Sequence, residues 1–131
     1  MKKTKQLSVS LENKPGRLAH VCRCLADRKI NIIALTVVET SEQGILRLVV
    51  DRPAEAAKML KECPMTFTQS DVLLVELPNK VGVMAKLAEK LAAKRINVNY
   101  VYGSTGKGAG KTNIVLATPN LKTAQKALGR M

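Results

Sequence analysis

The chain contains itself twice. Displacing the 131-residue sequence by 66 positions lays Leu11-Glu12-Asn13-Lys14-Pro15-Gly16 over Leu77-Pro78-Asn79-Lys80-Val81-Gly82 without a gap. Agreement continues through Ala19/Ala85, Leu25/Leu91, Ala26/Ala92, Ile30/Ile96 and Asn31/Asn97, so that nine of 24 positions from 11 to 34 are identical. Leu18/Met84, Val21/Leu87 and Ile32/Val98 are conservative pairs. Any fold for this chain must therefore be buildable from one segment of about 65 residues and then built again.

Each copy carries the same succession of periods. Leu7, Val9, Leu11 and Leu73, Val75, Leu77 alternate as half-buried strands do. After a short Asn-Lys-x-Gly turn, Leu18, Val21, Cys22, Leu25 and Met84, Leu87, Ala88, Leu91 follow the spacing of an amphipathic helix. Pro15 suits a first helical turn, where its missing N–H would have had no partner. Apolar runs 30–38 and 96–102, then 45–50 and 113–117, predict two further strands per copy. A second helix closes each: Pro53 opens one that buries Ala56, Met59, Leu60 and Cys63, and Asn120 caps another with Leu121, Ala124 and Leu128.

The resulting order is β-α-β-β-α, with Met65–Gln69 available as a fourth strand to the first copy. This predicts an α+β chain of two ferredoxin-like βαββαβ units, residues 1–70 and 71–131. The second unit runs out at Gly129, so its last strand is expected to be dispensed with or supplied by another chain.

Composition narrows the function. The 22 Lys+Arg against 10 Asp+Glu give a formal charge of +12, which raises polyanions as partners. The excess divides as 12 basic against 7 acidic residues over 1–65 and 10 against 3 over 66–131, so neither end is a basic tail. Lys86, Lys90 and Lys94 recur at helical spacing, which reads first as a solvated helix face. Only Phe67, Tyr100 and Tyr102 are aromatic, which leaves little on which to stack bases. No signal peptide or run of about 18 apolar residues is found, so a cytoplasmic protein without a membrane partner is expected. Cys22, Cys24 and Cys63 fit no metal-ligand spacing and read as packing residues. His20 has no companion for a metal site, and no Ser-His-Asp or paired-carboxylate arrangement can be argued. The stretch Gly103–Thr112 imitates a phosphate-binding loop, but Thr105 stands where that motif needs glycine, and a strand follows where a helix should. It is expected to be a hairpin. Catalytic, metal and cofactor roles are accordingly expected to be absent.

The turn after the first strand is the feature left to explain. A tight turn into a helix N-terminus points unpaired N–H groups outward, which suits a carboxylate. Gly16 and Gly82 would let the backbone approach a ligand. Asn31 follows Asn13, and Asn97 follows Asn79, at the same interval of 18 residues. An asparagine amide donates and accepts, as an amino acid's ammonium and carboxylate require. Asn and Gly also simply make good turns, and both explanations stand on the spacing alone.

These residues resemble a known family. Asn13-Lys14-Pro15-Gly16-Arg17-Leu18, a helix and then Ile30-Asn31-Ile32 look like the ACT domain, a small regulatory module that binds amino acids. Asn79-Lys80-Val81-Gly82-Val83-Met84 with Ile96-Asn97-Val98 is the same signature without the proline. The resemblance covers roughly residues 5–62 and 71–128 and is to stand-alone tandem ACT proteins. It implies non-catalytic regulation by a free amino acid or similar effector held at the seam where two units meet. Carried over, Asn13 and Asn31 form one site, and Asn79 and Asn97 its counterpart. The neighbouring Lys14, Pro15, Gly16, Arg17, Leu18 and Ile32 belong to the first, and Gly82, Val83 and Met84 to the second. Leu11 stands where members with hydrophilic effectors carry histidine. A homodimer and a partner enzyme are further expectations, and nucleic acid is disfavoured. Two alternatives remain: a basic adaptor for nucleic acid or an acidic protein, and the regulatory subunit of an enzyme such as acetolactate synthase, which has a similar Glu-Asn-x-Pro-Gly turn.

Overall fold

The structure, a computed structural model, describes residues 1–12, 14–39 and 43–129. These divide into two compact units, Lys5–Ser70 and Asp71–Met131, the second of which also includes Met1–Thr4.

In the unit Lys5–Ser70, β1 (Lys2–Glu12) leads through a turn to α1 (Arg17–Asp27), β2 (Ile32–Glu39), β3 (Gln43–Val50), α2 (Pro53–Glu62) and the start of β4 (Phe67–Pro78). Strand order is β2-β3-β1-β4. β1 runs antiparallel to β3, Leu7 opposite Leu48 and Glu12 opposite Gln43, and β2 is antiparallel to β3 on its other side. The alternation read from the sequence puts Leu7, Val9 and Leu11 with Leu46, Leu48 and Val50 on one sheet face. There they pack against Val21 and Leu25 of α1 and Ala56, Met59 and Leu60 of α2. Each such leucine contributes about 1.5–3 kcal/mol relative to leaving it in water.

The second unit repeats the plan with β4, α3 (Val83–Ala93), β5 (Tyr100–Ser104), β6 (Lys111–Ala117) and α4 (Leu121–Leu128). Its core joins Leu73, Val75, Leu77, Ile114 and Leu116 to Leu87, Leu91, Ala124 and Leu128. Asn120 caps α4, its side chain accepting from the Thr123 N–H at 3.1 Å.

Four expectations change. No strand follows α4 among the described residues, yet the strand position is filled by this chain's own N-terminus. Met1–Thr4 belong to this unit, β1 neighbours β4, and Lys3 Nζ lies 4.0 Å from Asp71. The fourth strand expected at Met65–Gln69 and the strand expected at Leu73–Leu77 are one continuous strand, β4. The apolar run from Ile96 does not become strand until Tyr100. Pro15 lies in the turn before the N-cap residue Gly16, rather than within the helix.

Both long helices end identically. Lys29 and Arg95, again 66 apart, take left-handed φ values of 57° and 55°. Ile30 and Ile96 donate their N–H back to Leu25 and Leu91 at 3.0 Å, the double-bonded closure that normally selects glycine.

Candidate functional site

The two turns are built alike, bond for bond. Lys14 N–H donates to the Glu12 carbonyl at 2.8 Å and Lys80 N–H to the Pro78 carbonyl at 2.9 Å. Arg17 and Val83 then donate to Lys14 and Lys80, and His20 and Lys86 to Gly16 and Gly82 at 3.0 Å. Gly16 and Gly82 sit at φ 87° and 89°, which a side chain bearing Cβ resists. A Cβ at either would meet nothing within 4 Å. The glycines are thus demanded by backbone conformation, and the space beside them is open. Neither helix start has a side-chain cap, which leaves first-turn N–H groups facing outward.

Around the first turn, Glu12 lies 3.2 Å from Lys14 Nζ and 3.6 Å from the Arg17 guanidinium. The Lys14 hydrogen bond, then the Arg17 charge, hold the Glu12 carboxyl below its ordinary range. These three residues line a hollow of about 190 Å³ with Leu11, Leu18, Val37, Glu39 and Gly44. Leu18 was expected on the buried stripe of α1 and is 40% exposed; its repeat partner Met84 is 38% exposed. The repeat therefore places an apolar side chain in the open beside both turns. Val83, next to Gly82, is half-buried against the core of its unit.

The asparagines are dispersed. Asn13 lies outside the described residues. Asn31 is at the other end of the unit: its N–H donates to Asp51 Oδ1 at 3.0 Å and its carbonyl accepts from Asp51 N–H at 3.1 Å, just past the end of β3. The turn adjoins the opposite end of β3, where Glu12 pairs with Gln43. Eight residues of strand separate these ends by about 25 Å, so the turn and Asn31 of one unit form no single pocket. Ile32 is half-buried and packs on the core. Asn79 donates its side-chain amide to the Ala109 carbonyl at 2.8 Å and its N–H to the Gly110 carbonyl at 2.9 Å, which ties the second turn to the Gly-rich hairpin. Asn97 is exposed ahead of β5.

A larger cavity escaped the sequence reading. About 310 Å³ open between α1, the end of α2 and β1, lined by Glu12, Arg17, His20, Gln43, Cys63 and Met65 among others. Its residues come from four separate stretches, and no local spacing announces it.

The tempting motifs resolve as folding elements. Gly103–Thr112 runs from the end of β5 through the hairpin into β6, and Gly103 in β5 is packed so tightly that a Cβ would fall 2.5 Å from Ile114 Cδ1 and 2.7 Å from the Asn113 carbonyl. Lys90, midway along the lysine face of α3, is half-buried and donates to the Leu128 carbonyl at 3.2 Å, so that face is not a continuous free cationic stripe. Among the described residues no group of three metal-ligating side chains occurs, and no helix is long and apolar enough to cross a membrane.

Comparison with known proteins follows the same lines. A family model described as an ACT domain pair matches residues 2–128. A solved protein from Bacteroides thetaiotaomicron superposes with TM-score 0.89 at 35% identity, over 96% of this chain and 86% of its own. The ligand-free regulatory subunit of aspartate kinase from Thermus thermophilus gives 0.70 at 18% identity, over 98% of this chain and 95% of its own. The corresponding subunit from Thermus flavus gives 0.67 at 20%, over 97% and 91%. These two share the fold. No curated protein matches the chain.

Proposed function

Because the chain belongs to the ACT domain pair family, we propose that it is a non-catalytic regulatory protein that binds a free amino acid or a similar small effector. The observation that carries this reading is the glycine-headed turn, built twice with the same hydrogen bonds and φ values. A structural connection alone has no need to leave uncapped N–H groups, an open approach and an exposed apolar side chain beside both copies. In the first unit the Glu12 carboxylate stands beside the cations Lys14 and Arg17. That pairing complements the ammonium and carboxylate of one amino acid, with Leu18 and Val37 against its side chain. Lys14, Pro15, Gly16, Arg17 and Leu18 are proposed as the first site, together with Asn13, which lies outside the described residues. Gly82, Val83 and Met84 with Asn79 are proposed as its counterpart; Asn31, Ile32 and Asn97 are assigned to neither turn.

Regulation follows if effector binding favours one of two arrangements that a partner enzyme distinguishes. The Thermus neighbours are by name regulatory subunits of aspartate kinase, and a partner enzyme is proposed here on that likeness. The protein is proposed to act in the cytoplasm as a homodimer, two copies meeting along β2. This strand is outermost in its unit, and its Leu35 and Val37 are 44% and 45% exposed.

Thermal-shift measurement against each of the twenty amino acids tests the reading, since a ligand at 100 times its dissociation constant adds about 2.7 kcal/mol. At least one is expected to raise the midpoint, and Gly16→Val, which disturbs the turn, to abolish that rise. No rise with any of them, together with tight, salt-sensitive binding of an oligonucleotide, supports a basic adaptor instead.

A further inference from the structure

Two of the three cysteines have found each other. Cys24 on α1 and Cys63 at the end of α2 are 39 residues apart, and their sulfurs lie 3.4 Å from one another, partly buried. The same helix ends are joined by the Arg28–Glu62 ion pair, Glu62 being next to Cys63 in the chain. Cys22 is two residues from Cys24 on α1 and points to a different side. We propose that Cys24 and Cys63 form a reversible disulfide between α1 and α2, made by exchange with a small disulfide such as oxidised glutathione.

The geometry asks for little movement. Closing from 3.4 Å to a bonded separation requires the sulfurs to approach by about 1.4 Å, within reach of side-chain rotation. Both cysteines are half-exposed, and Cys63 also lines the 310 Å³ cavity. Cys63 loses its proton to water and its thiolate attacks one sulfur of glutathione disulfide, forming a mixed disulfide and releasing one glutathione thiolate, which takes up a proton from water. Cys24 then gives its proton to His20 Nε2, 3.9 Å from its sulfur and one helical turn away. The Cys24 thiolate attacks Cys63 Sγ, the Cys63–glutathione bond breaks, and the leaving glutathione thiolate takes the proton back from His20. Two protein thiols and one disulfide thus become one protein disulfide and two glutathione thiols. Burial, then the neighbouring Cys63, raises the Cys24 thiol above its ordinary range, with Asp27 adding to the effect and Arg28 opposing it. That assigns Cys24 to the second step, where a base stands beside it. The bond would tie α1 to the segment after α2, both of which line the cavity, and reduced glutathione would release it.

The test uses the full reduced chain incubated natively with oxidised glutathione, then blocked with N-ethylmaleimide and mapped by mass spectrometry. The expected product is lighter by two hydrogens, carries one maleimide on Cys22, and yields a linked Cys24–Cys63 peptide. Cys22→Ser should leave the link intact, while Cys24→Ser should trap glutathione on Cys63. His20→Gln should slow closure several-fold and let the mixed disulfide accumulate; closure at the unaltered rate would overturn the proton route. Three maleimides after oxidation, or a link that includes Cys22, would overturn the proposal, and the wild-type map decides this even if a variant fails to fold.

Discussion

At Gly16 and Gly82 the backbone is left-handed and the surrounding space is empty, so alanine there costs only the conformational term. Gly16→Ala and Gly82→Ala should each destabilise by about 1 kcal/mol in chemical denaturation, with no neighbour displaced. Gly103→Ala is a different case, because its Cβ would overlap Ile114 and the Asn113 carbonyl. It should cost more than either and loosen the β5–β6 hairpin, visible as faster amide exchange there. Lys29 and Arg95 hold the same backbone region without being glycine, so Lys29→Gly and Arg95→Gly should each stabilise the chain by up to about 1 kcal/mol. This contrast explains what was legible at the smallest scale. A left-handed position written as glycine shows in the sequence, whereas one occupied by lysine or arginine looks like ordinary helix surface. Cys24 and Cys63 were illegible for a similar reason: their meeting depends on how α1 and α2 pack, and no local spacing records that.

The strands and helices were readable because their periods differ and each occurs twice. Leu18 and Met84 fit the helical stripe yet are exposed, each in the first turn of its helix beside the open glycine turn. β2 likewise carries Leu35 and Val37 on the helix-facing side without helix cover. If two copies meet there, Leu35→Glu with Val37→Glu should yield monomers by sedimentation while circular dichroism stays unchanged. Three exposed carboxyls tie elements together: Glu12 through Lys14, Glu62 through Arg28 and Glu76 through Lys111, each partner holding its carboxyl below the ordinary range. A depressed folded pKa adds stability above the unfolded value, near 4.3 for glutamate, which is lost as pH falls through the folded value. The urea midpoint should therefore hold from neutral pH to about 5 and fall below about 4. Replacing all three by glutamine should flatten that fall.

For the molecule as a whole, the repeat established two ferredoxin-like units, but it could not reveal where the second unit finds its fourth strand. Lys2–Thr4 are polar and sit at the opposite end of the chain from α4, so only the folded topology identifies them. Removing Met1–Thr4 should speed amide exchange in β4 from Asp71 onward and leave the core of Lys5–Ser70 protected. The site was legible in part for the same reason as the fold. The turns are local and repeat in the sequence, whereas the distance from the turn to Asn31 depends on how β3 lies between them and no spacing records it. If the duplicated turn is a ligand cradle, amide NMR correlation spectra recorded with each free amino acid in turn will show it. At least one amino acid is expected to shift the amides of Lys14 to Leu18, Lys80 to Met84, or both. Saturable shifts confined to other segments, or none with any amino acid, would mean that the turns hold no effector.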